Sequence, residues 1–174
     1  MEPKVLILMG SDSDWEVMAE ARRALAELGI GSEVHVSSAH RTPARTGQLA
    51  REAAGRGFQV IICGAGSAAH LAGVVAAESE LPVLGVPLAA SDLKGLDALL
   101  STVQMPAGVP VGALAIGKAG ARNAGLLAGR IIARSIPAVA ASVREQRERM
   151  AQEVEAKDGA LKARLAQEPN TRKT

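Results

Sequence analysis

Aromatic side chains are nearly absent from this sequence: Trp15 and Phe58 stand alone, and there is no tyrosine. Proteins that grip single-stranded nucleic acid stack bases on aromatic faces, so that mode of binding is excluded. No basic stripe takes its place, because 20 lysines and arginines face 18 acidic residues for a formal charge of +2. Nucleic acid is therefore not an expected partner. Cysteine is as scarce. Cys63 is the only one, which rules out an intrachain disulfide or a cysteine-based zinc cluster, and its apolar neighbours predict a buried, inert thiol. Long hydrophobic runs are missing too: nothing approaches the roughly 20 residues that cross a membrane, and the run Val5–Met9 is too short for a signal-peptide core. A soluble, cytoplasmic chain is the expectation.

Histidine is also rare. His35 falls inside a predicted strand while His40 and His70 follow separate strands, and no H-E-x-x-H spacing is present, so a three-histidine zinc site is not expected. No G-x-S-x-G nucleophile elbow occurs either.

What remains is an interior of small and aliphatic residues, with hydrophobic content at 48%. Such side chains let helices and sheet approach closely, and they leave less apolar volume per residue, which favours further burial in an oligomer. At 174 residues the chain fits one domain and a tail.

Lys4–Met9 is a near-continuous apolar run, as expected of a parallel strand covered on both faces. Gly10-Ser11-Asp12-Ser13-Asp14 follows, with Ser13 or Asp14 placed to cap a helix over Trp15–Leu28. Further strands are predicted at Ser32–Val36, Gln59–Cys63, Pro82–Val86 and Val111–Ala115, alternating with helices over Pro43–Arg56, His70–Glu78, Leu93–Ser101 and a long one from Gly120 through Ala133. Five strands alternating with helices predict an α/β fold: a three-layer, parallel five-stranded sheet, strand order 2-1-3-4-5, with right-handed crossovers. Residues 1–135 read as the α/β domain. Residues 136–167 read as an amphipathic C-terminal helical extension, broken near Asp158-Gly159, that packs on its own domain or on a neighbouring subunit. Residues 168–174 read as a disordered tail.

In such sheets ligands bind at the carboxyl ends of strands. Ser37–Pro43 lies at one, and offers the Ser38 hydroxyl, the His40 imidazole, the Arg41 guanidinium and the Thr42 hydroxyl. An imidazole moves protons near neutrality, and a guanidinium holds phosphate or carboxylate by a bidentate fork. At the Gly10 loop, free backbone N–H groups at a helix start favour an anion; Ser11 and Ser13 suit phosphate oxygens, while Asp12 or Asp14 suits sugar hydroxyls. A well-capped helix with spare polar residues is the plainer explanation, but one cap needs one such residue and four are present. Gly64–Ala69 matches the loose G-x-G-x-x-G/A dinucleotide pattern, yet it follows the third strand, and the acidic residue expected about twenty positions on is replaced by Val86-Pro87-Leu88. Its physical content is close backbone approach to a ligand, with His70 beginning the next helix.

Taken together, Met9–Trp15, Ser38–Pro43, Gly64–Leu71, Leu81–Pro87, Val103–Pro106 and Gly108–Gly112 resemble the class I N5-carboxyaminoimidazole ribonucleotide mutases of purine biosynthesis, over residues 4 to 134. The resemblance implies a flavodoxin-like domain, a homo-octamer with sites between subunits, and no metal or organic cofactor. It implies that Ser11, Ser13, Ser38 and Arg41 hold the 5'-phosphate of a ribonucleotide substrate and Asp14 its ribose. It implies that His40 shuttles a proton while a carboxylate moves from the exocyclic nitrogen to C4 through trapped CO2, with Gly64, Ala65, Gly66 and Ser67 lining the pocket and His70 helping to form it. Ser67 and Ala72 stand where that family usually has glycine and proline, which implies a smaller or more polar pocket. The sister class II carboxylases, which use free CO2, have lysine at the position of Arg41 and no match to Gly64–His70. A non-catalytic nucleotide-binding module of flavodoxin-like fold is the alternative of another kind.

Overall fold

The computed structural model describes residues 4–167. At its centre is strand β1, Lys4–Met9, whose residues from Val5 onward are buried. Because successive side chains of a strand point to opposite faces, this unbroken apolar run feeds two cores. Val5, Ile7 and Met9 join one; Leu6 and Leu8 join the other. β1 pairs with β2, Gly31–Val36, and with β3, Val60–Gly66; β3 pairs with β4, Val83–Leu88, and β4 with β5, Gly112–Ala113. All pairings are parallel and the order is β2-β1-β3-β4-β5. This is the order expected for the flavodoxin-like, three-layer fold.

Helices α1, Trp15–Glu27, and α5, Lys118–Ile132, cover the first face. Their contact is made close by small residues: Ala121, Ala124 and Ala128 are fully buried, and a Cβ placed on Gly125 would lie 2.6 Å from the carbonyl oxygen of Ala21. Helices α2, Pro43–Ala53, and α3, Leu71–Glu78, cover the other face, and α4, Leu96–Val103, packs on β4 and β5. Cys63 is buried in β3, and desolvation pushes its thiol pKa up.

Several boundaries differ from the sequence expectation, each for a local reason. β3 runs past Cys63 to Gly66 because Gly64, Ala65 and Gly66 stay in register with Val86, Pro87 and Leu88, which lengthens β4 as well. α4 starts at Leu96, not Leu93, because Lys94 and Gly95 adopt left-handed φ of 51° and 89°. β5 shrinks to two residues at the sheet edge, where only Gly112 and Ala113 stay in register with Leu84 and Gly85. α2 ends at Ala53 and unwinds through Gly57, φ 83°.

The largest correction concerns α6, Pro137–Gln167, which continues through Asp158-Gly159 without a break. One exposed glycine costs about 1 kcal/mol in a helix, too little to end one of this length, and the Asp158–Lys162 ion pair (2.6 Å) spans the spot. Its first turns pack on the home domain: Val139 and Gln146 are buried, with Ile136 and Val143 against the α1–α5 core. Beyond them, Met150, Val154, Leu161 and Leu165 are exposed. The expected tail over 168–174 lies outside the described residues. No helix among those described is long and apolar enough to cross a membrane.

Candidate active site

Three βα loops meet at the carboxyl end of the sheet, after β1, β2 and β3. In the first, Ser11 caps a 3-10 turn, Asp12–Asp14, that runs into α1. Ser11 Oγ accepts from the Ser13 N–H (3.4 Å), and the Asp14 carboxylate accepts from the Ser11 N–H (3.0 Å), a reciprocal capping box. The cap is therefore Ser11 with Asp14 reaching back; the expected cap by Ser13 or Asp14 on the helix itself makes no side-chain bond. Ser13 Oγ donates to Ser11 Oγ (2.9 Å), which in turn donates to Asp12 (3.1 Å). Burial raises the Asp14 pKa, opposed by the Ser11 and Gly10 backbone N–H groups; Asp12 raises it further and Arg41 lowers it.

The second loop is a tight turn built by Ser38 and Thr42. Thr42 Oγ1 accepts from the Ser38 N–H and donates to the Ser38 carbonyl, both at 3.0 Å, so the Thr42 hydroxyl is taken up by structure. Ser38 Oγ accepts from the Arg41 N–H (3.2 Å). Below the turn, buried Ser37 and Thr46 share a hydrogen bond of 2.8 Å that anchors the loop to α2. Pro43 occupies the first turn of α2, where its missing N–H costs nothing. Arg41 Nη2 donates to the Gly10 carbonyl (3.0 Å) and thereby ties the second loop to the first.

The third loop leaves β3 through Gly66 and holds Ser67 at φ 53°, a left-handed conformation uncommon for a non-glycine residue. His70 sits at the N-cap of α3, one position before the first turn where it was expected, and its N–H bonds the Ala68 carbonyl (2.8 Å). The ring of His70 meets that of His40 edge to face, centroids 4.8 Å apart, with His70 Nδ1 and His40 Nε2 at 2.6 Å.

These loops enclose a cleft of about 360 Å³ lined by Ser11, Ser13, Asp14, Ser38, His40 and Arg41, and across from them by Ala65, Gly66, Ser67 and His70. Gly64 is not on its surface. It lies under the floor, where a Cβ would collide with Met18. Ala90, after β4, also lines the cleft and abuts Gly66; nothing in its sequence context marks it. Beyond the histidines is a second, apolar hollow of about 410 Å³ lined by Val74, Ala77, Met105, Pro106 and Val109. His35 lies in neither, because Glu33 engages its Nε2 (2.7 Å) in β2. Among the described residues no three His, Cys, Asp or Glu side chains converge on a metal position.

A cleft with helix N-termini, four serine hydroxyls and a guanidinium suits a phosphate monoester, and the histidine pair adds a proton carrier beside it. A family model for AIR carboxylase matches residues 4–153. An N5-carboxyaminoimidazole ribonucleotide mutase of Mycobacterium tuberculosis is 56% identical over 164 residues, covering 94% of this chain and 92% of its own. One from Thermotoga maritima is 53% identical over 152 residues, covering 87% and 88%. The crystal structure of Treponema denticola PurE2-S38D superposes with a TM-score of 0.85 at 28% identity, over 93% of this chain and 99% of that one. With its fold and most of its length matched, the chain belongs to the AIR carboxylase family.

Proposed function

We propose that this chain is an isomerase of de novo purine biosynthesis, converting N5-carboxyaminoimidazole ribonucleotide into 4-carboxy-5-aminoimidazole ribonucleotide. The observation that carries the reading is the meeting of His40 with His70 in the cleft that also gathers Ser11, Ser13, Ser38 and Arg41. Relatives at 51–58% identity are named mutases or, in Dictyostelium discoideum, a bifunctional purine synthesis protein. In this reading Ser11, Ser13, Ser38 and Arg41 bind the 5'-phosphate and Asp14 the ribose.

The chemistry needs one proton given and taken back. His40 as imidazolium protonates the exocyclic nitrogen as its N–C bond breaks and CO2 leaves. C4 then attacks the trapped CO2, and neutral His40 removes the C4 proton to restore the aromatic ring. An imidazole suits both directions at neutral pH. Ala65, Gly66 and Ser67 border the space where CO2 waits, above a floor set by Gly64, and the pocket must exclude water for CO2 to be recaptured. No cofactor is assigned.

The reading includes a cytoplasmic homo-octamer, with residues 1–135 as the catalytic unit and 136–167 as a helical extension. Supporting it, Leu96, Leu100 and Val103 form an exposed apolar face along α4, with Leu93 exposed just before it, and the hollow beside His40 and His70 is open in one chain. Light scattering reads the subunit number. Purified protein given the N-carboxylated ribonucleotide moves the carboxylate without ATP or metal. Turnover only of the uncarboxylated ribonucleotide with bicarbonate would make it a direct carboxylase, and nucleotide binding without turnover a binding module.

A further inference from the structure

Atom-level geometry at the histidine pair says more than that both rings are near the substrate. Nε2 of His40 and Nδ1 of His70 are 2.6 Å apart, a separation that requires one hydrogen between them. Two hydrogens would set N–H against N–H, and none would set lone pair against lone pair. His70 stands at the N-cap of α3, whose positive dipole end disfavours additional positive charge there. Of the two rings, His40 is thus the one suited to carry the imidazolium, with its Nε2 as the donor. His40 Nδ1 has no protein partner among the described residues.

We infer that His70 is a positioning residue that accepts the Nε2–H of His40 on its Nδ1, and that His40 exchanges its proton with the substrate through Nδ1. The chemical half of this assignment rests on the mutase reading; the hydrogen bond does not. In the acid form both nitrogens of His40 carry hydrogen. The Nδ1–H passes to the exocyclic nitrogen as the N–C bond breaks, and the electron pair left on Nδ1 later takes the C4 proton once the C–C bond to CO2 has formed. Nε2–H stays on His70 throughout, so the ring changes charge without changing tautomer or orientation. Delivery through Nε2 would instead break the bond to His70 at each step. His70 has here the role of an orienting acceptor behind a catalytic imidazole, filled by a neutral ring in place of a carboxylate.

The test uses the full chain labelled with 15N in histidine. A through-hydrogen-bond coupling between His40 Nε2 and His70 Nδ1, with the hydrogen on Nε2, is expected both alone and with the uncarboxylated ribonucleotide bound. No coupling in either state, or hydrogen residing on His70 Nδ1, overturns the assignment. Kinetics supply the second arm. Asparagine places an acceptor oxygen near the position of Nδ1, so His70→Asn is expected to hold kcat within about tenfold of the parent while His70→Leu loses about a hundredfold, with KM within about twofold in both. An unimpaired His70→Leu, or a folded His70→Asn as poor as His70→Leu, sinks the positioning role. Coupling in a parent protein without mutase turnover would leave the hydrogen bond standing and remove the mutase reading, so the two can fail separately.

Discussion

The two halves of the cleft are built differently. On the side of β1 and β2, Ser11, Asp12, Ser13, Asp14, Ser38 and Thr42 are linked through one another, and the Arg41 bond to Gly10 joins their loops. On the side of β3, among the described residues, a single hydrogen bond between side chains, His40 to His70, crosses the cleft, and Ser67 is held by backbone conformation. The first half is organised by its own hydrogen bonds, which in the proposed function lowers the ordering cost of gripping a phosphate. In the proposed function the second holds the group that gains and loses a proton, and a ring with few partners is free to do so.

Substitutions in each half sharpen that contrast. Replacing His40 with Asn should lower kcat by about a thousandfold, or 4 kcal/mol, while the nucleotide dissociation constant from calorimetry stays within about threefold; equal losses in both would erase the division. Arg41→Met should do the reverse, weakening nucleotide binding by about a hundredfold, near 3 kcal/mol, with a smaller change in saturated kcat. Gly64→Ala tests the floor shared by the halves: the added methyl meets Met18, and a destabilisation of about 2 kcal/mol is expected in urea unfolding.

The smallest effect belongs to a control on β2, outside the cleft. Glu33 bonds Lys4 (2.9 Å), His35 and Arg56, and these partners hold its carboxylate pKa down at about 2, against an ordinary 4.5. A depressed folded-state value contributes stability that is fully present above the unfolded value and is lost as pH falls from about 4.5 toward 2. Solvent screening at this partly open position limits the contribution to about 1 kcal/mol. Glu33→Gln should therefore lower the unfolding free energy slightly at pH 7 and flatten the acid limb of the stability curve, with kcat and KM unchanged.

The parts of this molecule legible from sequence are those set by local periodicity. The β1 run, the alternation of strands with helices, and the polar loops after β1, β2 and β3 all follow from residues close along the chain. What was hidden depends on partners far away in sequence. β3 extends through two glycines because β4 stays in register beside it, and Ala90 reaches the cleft only because β4 neighbours β3. The His40–His70 bond joins residues thirty positions apart and exists only in this strand order. The continuity of α6 is a matter of magnitude: a glycine signals a break, but its cost is small beside the turns on either side.

The scarcity of aromatics has an optical consequence. Trp15 begins α1 immediately after Asp14, is 36% exposed, and is the chain's only indole; with no tyrosine present, it dominates the near-ultraviolet absorption and the intrinsic fluorescence. Emission from the unmodified protein is therefore a report from one residue at the edge of the Ser11–Asp14 turn, and a nucleotide titration can be followed there without any added dye.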